Sequence, residues 1–276
     1  MKCSMSFCLS VFIFFSLPLS LPAEEGLENN PAGSRPSAVM IERNPWLNVP
    51  GSDTPRVALY DDGTLVYLKK YDKEHPFYMV KALDRESLKK LRKSVCLTDN
   101  FMKLDRYYRL TDITDITGVD IYMSDGKRSK AVSVYGLRQK TPELPAAWLP
   151  YEMQYPDKLP DEFLKVYNAM TDIGYQDAGV WIPAYIEILI WPYEHSPAKP
   201  LPWPEKWPSP KDPLTRKHGN LYSLYMDGMK LGDLKILFSK LKQNQTVLID
   251  DRRWSVSYRF VFPCESVWNN AFRKKK

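Results

Sequence analysis

The residues best suited to meeting a ligand lie between positions 181 and 213. With the period of two of an extended strand, residues 181–193 separate into two sets. Ile182, Ala184, Ile186, Ile188 and Ile190 form an aliphatic set. Trp181, Pro183, Tyr185, Glu187, Leu189, Trp191 and Tyr193 form an aromatic set with one carboxylate at its centre. An ordinary solvated face would carry Lys, Thr and Ser, so the aromatic set is expected to be covered or to bind something. Residues 192–213 follow, with eight prolines and the run Trp203-Pro204-Glu205-Lys206-Trp207-Pro208. Proline fixes φ and lacks a donor, which predicts an extended, polyproline-like strap rather than a helix or a sheet strand. Two readings stand. The strap folds back over the aromatic face and completes the core, or Trp191, Tyr193, Trp203 and Trp207, with Glu194 beside them, remain a stacking surface. Flat aromatics near a carboxylate suit a glycan or a Pro-rich peptide as partner.

Other chemistry is sparse. Glu187 and Glu194, beside stackable aromatics, would also serve a hydrolase acting on a cell-envelope or environmental polymer through paired carboxylates. Along 252–262, Trp254, Val256, Tyr258, Phe260 and Phe262 alternate with Arg253, Ser255, Ser257 and Arg259. If this strand neighbours 180–192, Glu187 and Arg259 meet as a structural ion pair. There is no Gly-x-Ser-x-Gly elbow, dinucleotide fingerprint, phosphate-binding loop or His-Glu-x-x-His, so no catalytic residue is assigned. His75, His195 and His218 lie in separate segments beside Pro, Ser or Gly; no metal site and no cofactor is expected from them. Asp112 and Asp115 lack a dense Asp/Asn/Gly loop and read as turn caps. Cys96 and Cys264 would form one bridge in an oxidising compartment; two buried thiols are the alternative.

The elements that must position these residues begin after a leader. Met1-Lys2 precedes an almost wholly apolar run over 7–21, and Leu21-Pro22-Ala23 leads into Glu24-Glu25. That layout predicts a cleavable signal peptide over 1–23 with cleavage near Ala23, hence a secreted or periplasmic protein. No later segment reaches the roughly 20 apolar residues of a membrane helix, so the mature chain is expected to be soluble without a transmembrane segment. The formal charge is +6, but residues 273–276 supply four of those charges and the body is close to neutral. Without a basic stripe carrying interleaved aromatics, nucleic acid is not an expected partner.

Residues 24–54 are rich in Pro, Gly, Ser, Asn and Glu and read as a disordered lead-in. An N-terminal α+β domain is expected over 55–176. It opens with a hairpin, 56–60 and 64–70, turning at Asp61-Asp62-Gly63. A strand over 77–82 and a helix from Arg85, capped by Asp84 and striped by Leu88, Leu91 and Val95, follow. A second hairpin, 119–123 and 130–135, turns at Asp125-Gly126, and a helix starts near Pro160 with Phe163, Tyr167 and Met170 inward. A C-terminal α+β domain over 177–268 contains the strand 180–192, the strap 192–213 and a strand over 221–226. A helix near 229–242 and a hairpin, 246–249 and 252–262, turning at Asp250-Asp251 complete it. Residues 269–276 read as a basic tail. Strands, one helix and a closing hairpin occur twice, without residue-level identity between the halves. The fold class is α+β: antiparallel sheets with a few isolated helices packed on one face, plus the Pro/Trp-rich strap.

Two stretches carry a resemblance. The first runs from Val57-Ala58-Leu59-Tyr60-Asp61-Asp62-Gly63 through the Leu88/Leu91 helix to 121–135. The second holds Ile190-Trp191-Pro192-Tyr193-Glu194, Trp203-Pro204, Trp207-Pro208 and Trp254-Ser255-Val256-Ser257-Tyr258-Arg259. Together they resemble a family of uncharacterised exported bacterial proteins, over most of 55–268. The resemblance implies export and no characterised activity. The function expected on these grounds is a non-catalytic exported binding or interaction module, with the polymer hydrolase as the alternative.

Overall fold

The computed structural model describes residues 34–43, 54–72, 75–95, 99–112, 114–137 and 159–273. The leader, Cys96 and residues 274–276 lie outside them. The first eight strands are β1 (Pro36–Arg43), β2 (Val57–Tyr60), β3 (Thr64–Asp72), β4 (His75–Ala82), β5 (Tyr107–Arg109), β6 (Gly118–Ser124), β7 (Ser129–Tyr135) and β8 (Gly179–Val180). They form one sheet in the order β5-β7-β6-β1-β2-β3-β4-β8, antiparallel throughout except for the β5–β7 edge pair. Strands β9 (Tyr185–Pro192), β10 (Leu201–Pro202), β11 (Arg216–His218), β12 (Leu221–Asp227), β13 (Val247–Ile249) and β14 (Arg252–Phe260) form a second, in the order β10-β13-β14-β9-β12-β11. Here only the β10–β13 edge pair is parallel. Helices α1 (Arg85–Ser94), α2 (Asp99–Lys103), α3 (Asp161–Thr171), α4 (Leu231–Lys240) and α5 (Glu265–Arg273) complete an α+β fold.

Local signals set the turns. Gly63 takes φ +90° between β2 and β3, and Asp250 and Asp251 both take positive φ between β13 and β14, as a tight hairpin requires. Asp84 accepts the Ser87 amide at the start of α1. In the β6–β7 turn Asp125 accepts the amides of Lys127 and Arg128. These bonds pull its carboxyl down to about 2.

Both faces of the first sheet are buried. On one, Met40, Leu59, Leu65, Ile121 and Val132 pack with Leu91 of α1, Phe101 of α2 and Phe163, Val166 and Met170 of α3. On the other, Val39, Ile41, Ala58, Tyr60, Tyr78 and Tyr122 join one core with Ile186, Ile188, Ile190, Leu224 and Phe260 of the second sheet. Trp268 and Phe272 of α5 belong to the same core, and α5 lies against β1, β6 and β7. At the seam Tyr78 meets Phe260 and Phe262 edge-on, with centroids 5.3 and 5.4 Å apart. The two halves therefore share one core.

Four expectations need correction. Residues 36–43, placed in the disordered lead-in, are a central strand between β2 and β6. The apolar run Ala38-Val39-Met40-Ile41 is fully buried, and a strand covered on both faces needs no alternation. Residues 269–273 of the expected basic tail are the last turns of α5, buried through Phe272. The single strand over 180–192 is two. Trp181 N–H bonds to Tyr78 in the first sheet, Pro183 has no N–H to continue a ladder, and pairing resumes at Tyr185 in the second. Ile182, assigned to the core set, is consequently exposed. Lastly, the strap contributes a strand: Leu201 and Trp203 donate to Thr246 and Leu248 on the edge of β13. Pro202 falls where no donor is needed, as an edge strand allows.

Ile188 is wholly buried between β14 and β12. Its truncation to Ala should cost about 2–4 kcal/mol in a chemical denaturation experiment. A methyl group on Gly228 would sit 1.6 Å from the Pro183 carbonyl oxygen, whereas one on Gly232 would meet open space. Gly228→Ala should lower the melting temperature, and Gly232→Ala, within α4, should raise stability by about 0.5–1 kcal/mol.

Candidate functional site

The second sheet has two unlike faces. Pairing sets Ile186, Ile188 and Ile190 beside Phe260, Tyr258 and Val256 on one side and Met226, Leu224 and Tyr222 on the other. Leu234 and Phe238 of α4 pack on this aliphatic face, Phe238 against the Tyr258 ring at 4.8 Å. The opposite face carries polar and aromatic residues in rows. Arg259, Glu187 and Tyr225 form one row; Ser257, Leu189, Ser223 and Arg216 the next; then Ser255, Trp191, Leu221 and His218; and finally Arg253 beside Tyr193. Glu187, Leu189 and Ser223 at the centre are buried, while Trp191, Tyr193, Arg216, Tyr225, Arg253, Ser255 and Ser257 around them are half-buried.

One end of this face is tied down by charge. Arg259 Nε donates to Glu187 Oε2 at 2.6 Å, and its Nη1 bonds Glu265 at the start of α5. Glu265 also reaches back three residues to accept the Phe262 amide at 2.7 Å, ahead of the helix it begins. The side chains of Glu187, Glu265 and Arg259 are only 9, 11 and 20% exposed, so solvent screens these charges weakly. Burial pushes the Glu265 carboxyl above its ordinary value, against the pull of Arg259 and the Phe262 amide. Two carboxylates hold the Arg259 guanidinium protonated despite its burial. Burial, seconded by the Glu187 carboxylate, pushes the neighbouring Tyr225 phenol from 10.0 to about 12. Arg216 lies over the Tyr225 ring, 5.6 Å from its centroid.

The residues expected to form a stacking surface separate. Trp191 and Tyr193 lie on the polar face. Trp203 does not: the β10–β13 register turns it to the side of Val247 and Ile249, where it is 8% exposed. There its indole N–H donates to the Pro208 carbonyl at 2.9 Å. Trp207 packs edge-on against it at 5.0 Å and is half-buried in the same core. Glu194 is exposed and 3.8 Å from Arg252, whose guanidinium covers Trp254 on the aliphatic side. The strap thus anchors in the aliphatic core along the β13 edge, and its tryptophans are not on the face that holds Trp191.

The two carboxylates expected to pair each stand beside a different arginine, Glu187 by Arg259 and Glu194 by Arg252. Glu187 and Glu194 are seven residues apart, and the five strand steps from Glu187 to Pro192 alone span about 16 Å. Glycoside hydrolysis uses carboxyls about 5–9.5 Å apart. Among the described residues no cluster of three or more His, Cys, Asp or Glu side chains forms a ligand set, and no helix is long and apolar enough to cross a membrane. Cys264 is buried, its Sγ 3.6 Å from the Ser34 carbonyl oxygen; the expected bridge to Cys96 lies outside the described residues.

Three residues of this face were not singled out by sequence reasoning. Glu265 carried a signal, an acid in the first turn of a helix. Tyr225 carried one in the alternation Leu221, Ser223, Tyr225 against Tyr222, Leu224, Met226. Arg216 lies in a three-residue edge strand with no pattern of its own.

Removing the guanidinium while leaving both carboxylates should be costly. Arg259→Met is expected to lose about 3–5 kcal/mol, and Glu265→Gln, which keeps the acceptor for Phe262, much less; urea denaturation separates them. Tyr225 sets an alkaline limit. The unfolded phenol loses its proton near pH 10 and the folded one only near 12. Stability therefore falls as pH rises between those values, and Tyr225→Phe should flatten that fall in melting curves.

Comparison of the chain with family models, with curated proteins and with solved structures finds no match.

Proposed function

We propose that this protein is an exported, non-catalytic binding module for carbohydrate, with Trp191 as the stacking ring. The observation that carries the reading is Trp191 itself, half-buried on the polar face of the second sheet between Ser255 and Leu221 and followed on that face by Tyr193. An indole held by a rigid strand offers its ring face to a sugar at little entropic cost. Ser255 and Ser257 supply hydroxyls that donate and accept, as sugar recognition needs. Catalysis is disfavoured because the two buried carboxylates of this face, Glu187 and Glu265, are bound to Arg259. Export rests on the leader-like run at 7–21.

The test is retention on immobilised polysaccharides and on a Pro-rich peptide column. Trp191→Ala should weaken polysaccharide binding at least tenfold, about 1.4 kcal/mol, with little change in melting temperature. Trp203→Ala should instead destabilise by about 3–5 kcal/mol as a buried aromatic truncation. Polysaccharide binding unchanged in Trp191→Ala, or retention on the peptide column alone, overturns the carbohydrate reading.

A further inference from the structure

We infer that the carbohydrate taken by this face is acidic, a polymer bearing carboxylate or sulfate groups, and that Arg216 and Arg253 read its charge. The inference rests on the carbohydrate reading above and adds the ligand's sign. Three arginines point from the polar face: Arg216, Arg253 and Arg259. Arg259 is spent, bound between Glu187 and Glu265. Among the described residues neither of the other two is bonded to a carboxylate. Arg216 lies over the Tyr225 ring, and Arg253 donates from one Nη to the Ser196 carbonyl at 3.0 Å. Both are half-buried, so a counter-charge at either site would be screened less than on open surface.

Their placement fits a polymer. Arg253 is diagonal to Trp191 on the adjoining strand, since Trp191 pairs with Ser255, at a separation of about 7–8 Å. Arg216 lies two strands away on the other side, one row nearer the buried triad; with strands about 4.8 Å apart, that is on the order of 12 Å. The two arginines therefore stand on strands on opposite sides of the stacking ring, far enough apart to meet different units of an extended chain. The acids of this face lie at its other end: Glu187 and Glu265 hold Arg259, and Asp227 turns to the Met229 amide. Beside Trp191 on this face stands Arg253, with the Ser196 carbonyl as its partner, while the Arg216 guanidinium leans over Tyr225. A guanidinium fork matches a planar carboxylate or a sulfate in two-point geometry, and a neutral sugar would leave both forks unanswered.

Polygalacturonate and its fully methyl-esterified form share a backbone and differ only in charge, and so make the decisive pair of probes. The purified protein should bind the acid polymer at least tenfold more tightly than the ester, with affinity falling as salt rises. Arg216→Gln and Arg253→Gln should each weaken binding of the acid polymer several-fold without altering binding of the ester. Arg253→Lys should recover only part of the loss, and melting curves will confirm that each variant is folded. Dextran sulfate against neutral dextran repeats the comparison for sulfate. Equal affinity for acid and ester, or an Arg216→Gln/Arg253→Gln double variant indistinguishable from wild type, overturns the acidic assignment and leaves carbohydrate binding standing. Polyglutamate bound as tightly as polygalacturonate also overturns it, because charge alone would then explain retention. Binding unaffected by Trp191→Ala on every polymer overturns the carbohydrate reading itself.

Discussion

Arg259 is the joint on which the two halves depend. It stands on β14 in the second sheet, pairs across to Glu187 on β9 and reaches forward to Glu265 on α5. Helix α5 then runs across the first sheet, burying Trp268 and Phe272 against β1, β6 and β7. One guanidinium thus fixes where a helix leaves one sheet to cover another. The arrangement is not free. Two carboxylates share one cation, and desolvation weighs against both acids. What offsets it is satisfaction by several donors, the Phe262 amide among them. An apolar substitute at 259 would gain transfer energy and still strand two buried acids, so the guanidinium is the member the three can least spare.

The two sheets solve different problems. The first is covered on both faces, by α1, α2 and α3 on one and by α5 and the seam aromatics on the other, so its central strands β1, β2 and β6 bury nearly every residue. The second buries one face under α4 and keeps the other polar. Both limit their edges. The first ends in β8 and β5, of two and three residues; the second ends in β10, which contains Pro202, and in β11, which carries the charged pair Arg216-Lys217. Short, proline-bearing or charged edges discourage pairing with another chain.

Much of the scaffold was legible because its signals are local. Asp-Gly and Asp-Asp turns, the Asp84 cap and the stripes of α1, α3 and α4 each follow from a few adjacent residues. Glu187 and Arg259 emerge from two pleat parities once β9 and β14 are neighbours. Strand β1 was hidden because its apolar run is short and set among residues whose average composition is that of a tail. The break between β8 and β9 was hidden for the opposite reason: alternation continues unbroken through Ile182 and Ala184 while the backbone changes sheets at Pro183. Periodicity reports which way side chains point, not which sheet receives them. Of the binding face, Trp191 and Tyr193 were visible from parity and Tyr225 from the alternation of β12, whereas Arg216 needed the strand order, which no local pattern encodes.

The contrast between Trp191 and Trp203 follows from hydrogen-bond register. A proline-rich segment can join a sheet edge only where its remaining amides fall on alternate positions, and here those are Leu201 and Trp203. The residues that donate toward β13 pair in register with Val247 and Ile249, so the pleat directs their side chains to the aliphatic side. Trp203 therefore fills the core for the same reason that it can bond the edge. Trp207, past Pro204, packs on Trp203 and stays on that side. The strap is held at the margin of the sheet by its own donors, and the rings beside Arg216 and Arg253 must come from β9 and β12 themselves. That constraint, rather than the number of tryptophans in the strap, decides which indole is left to meet a ligand.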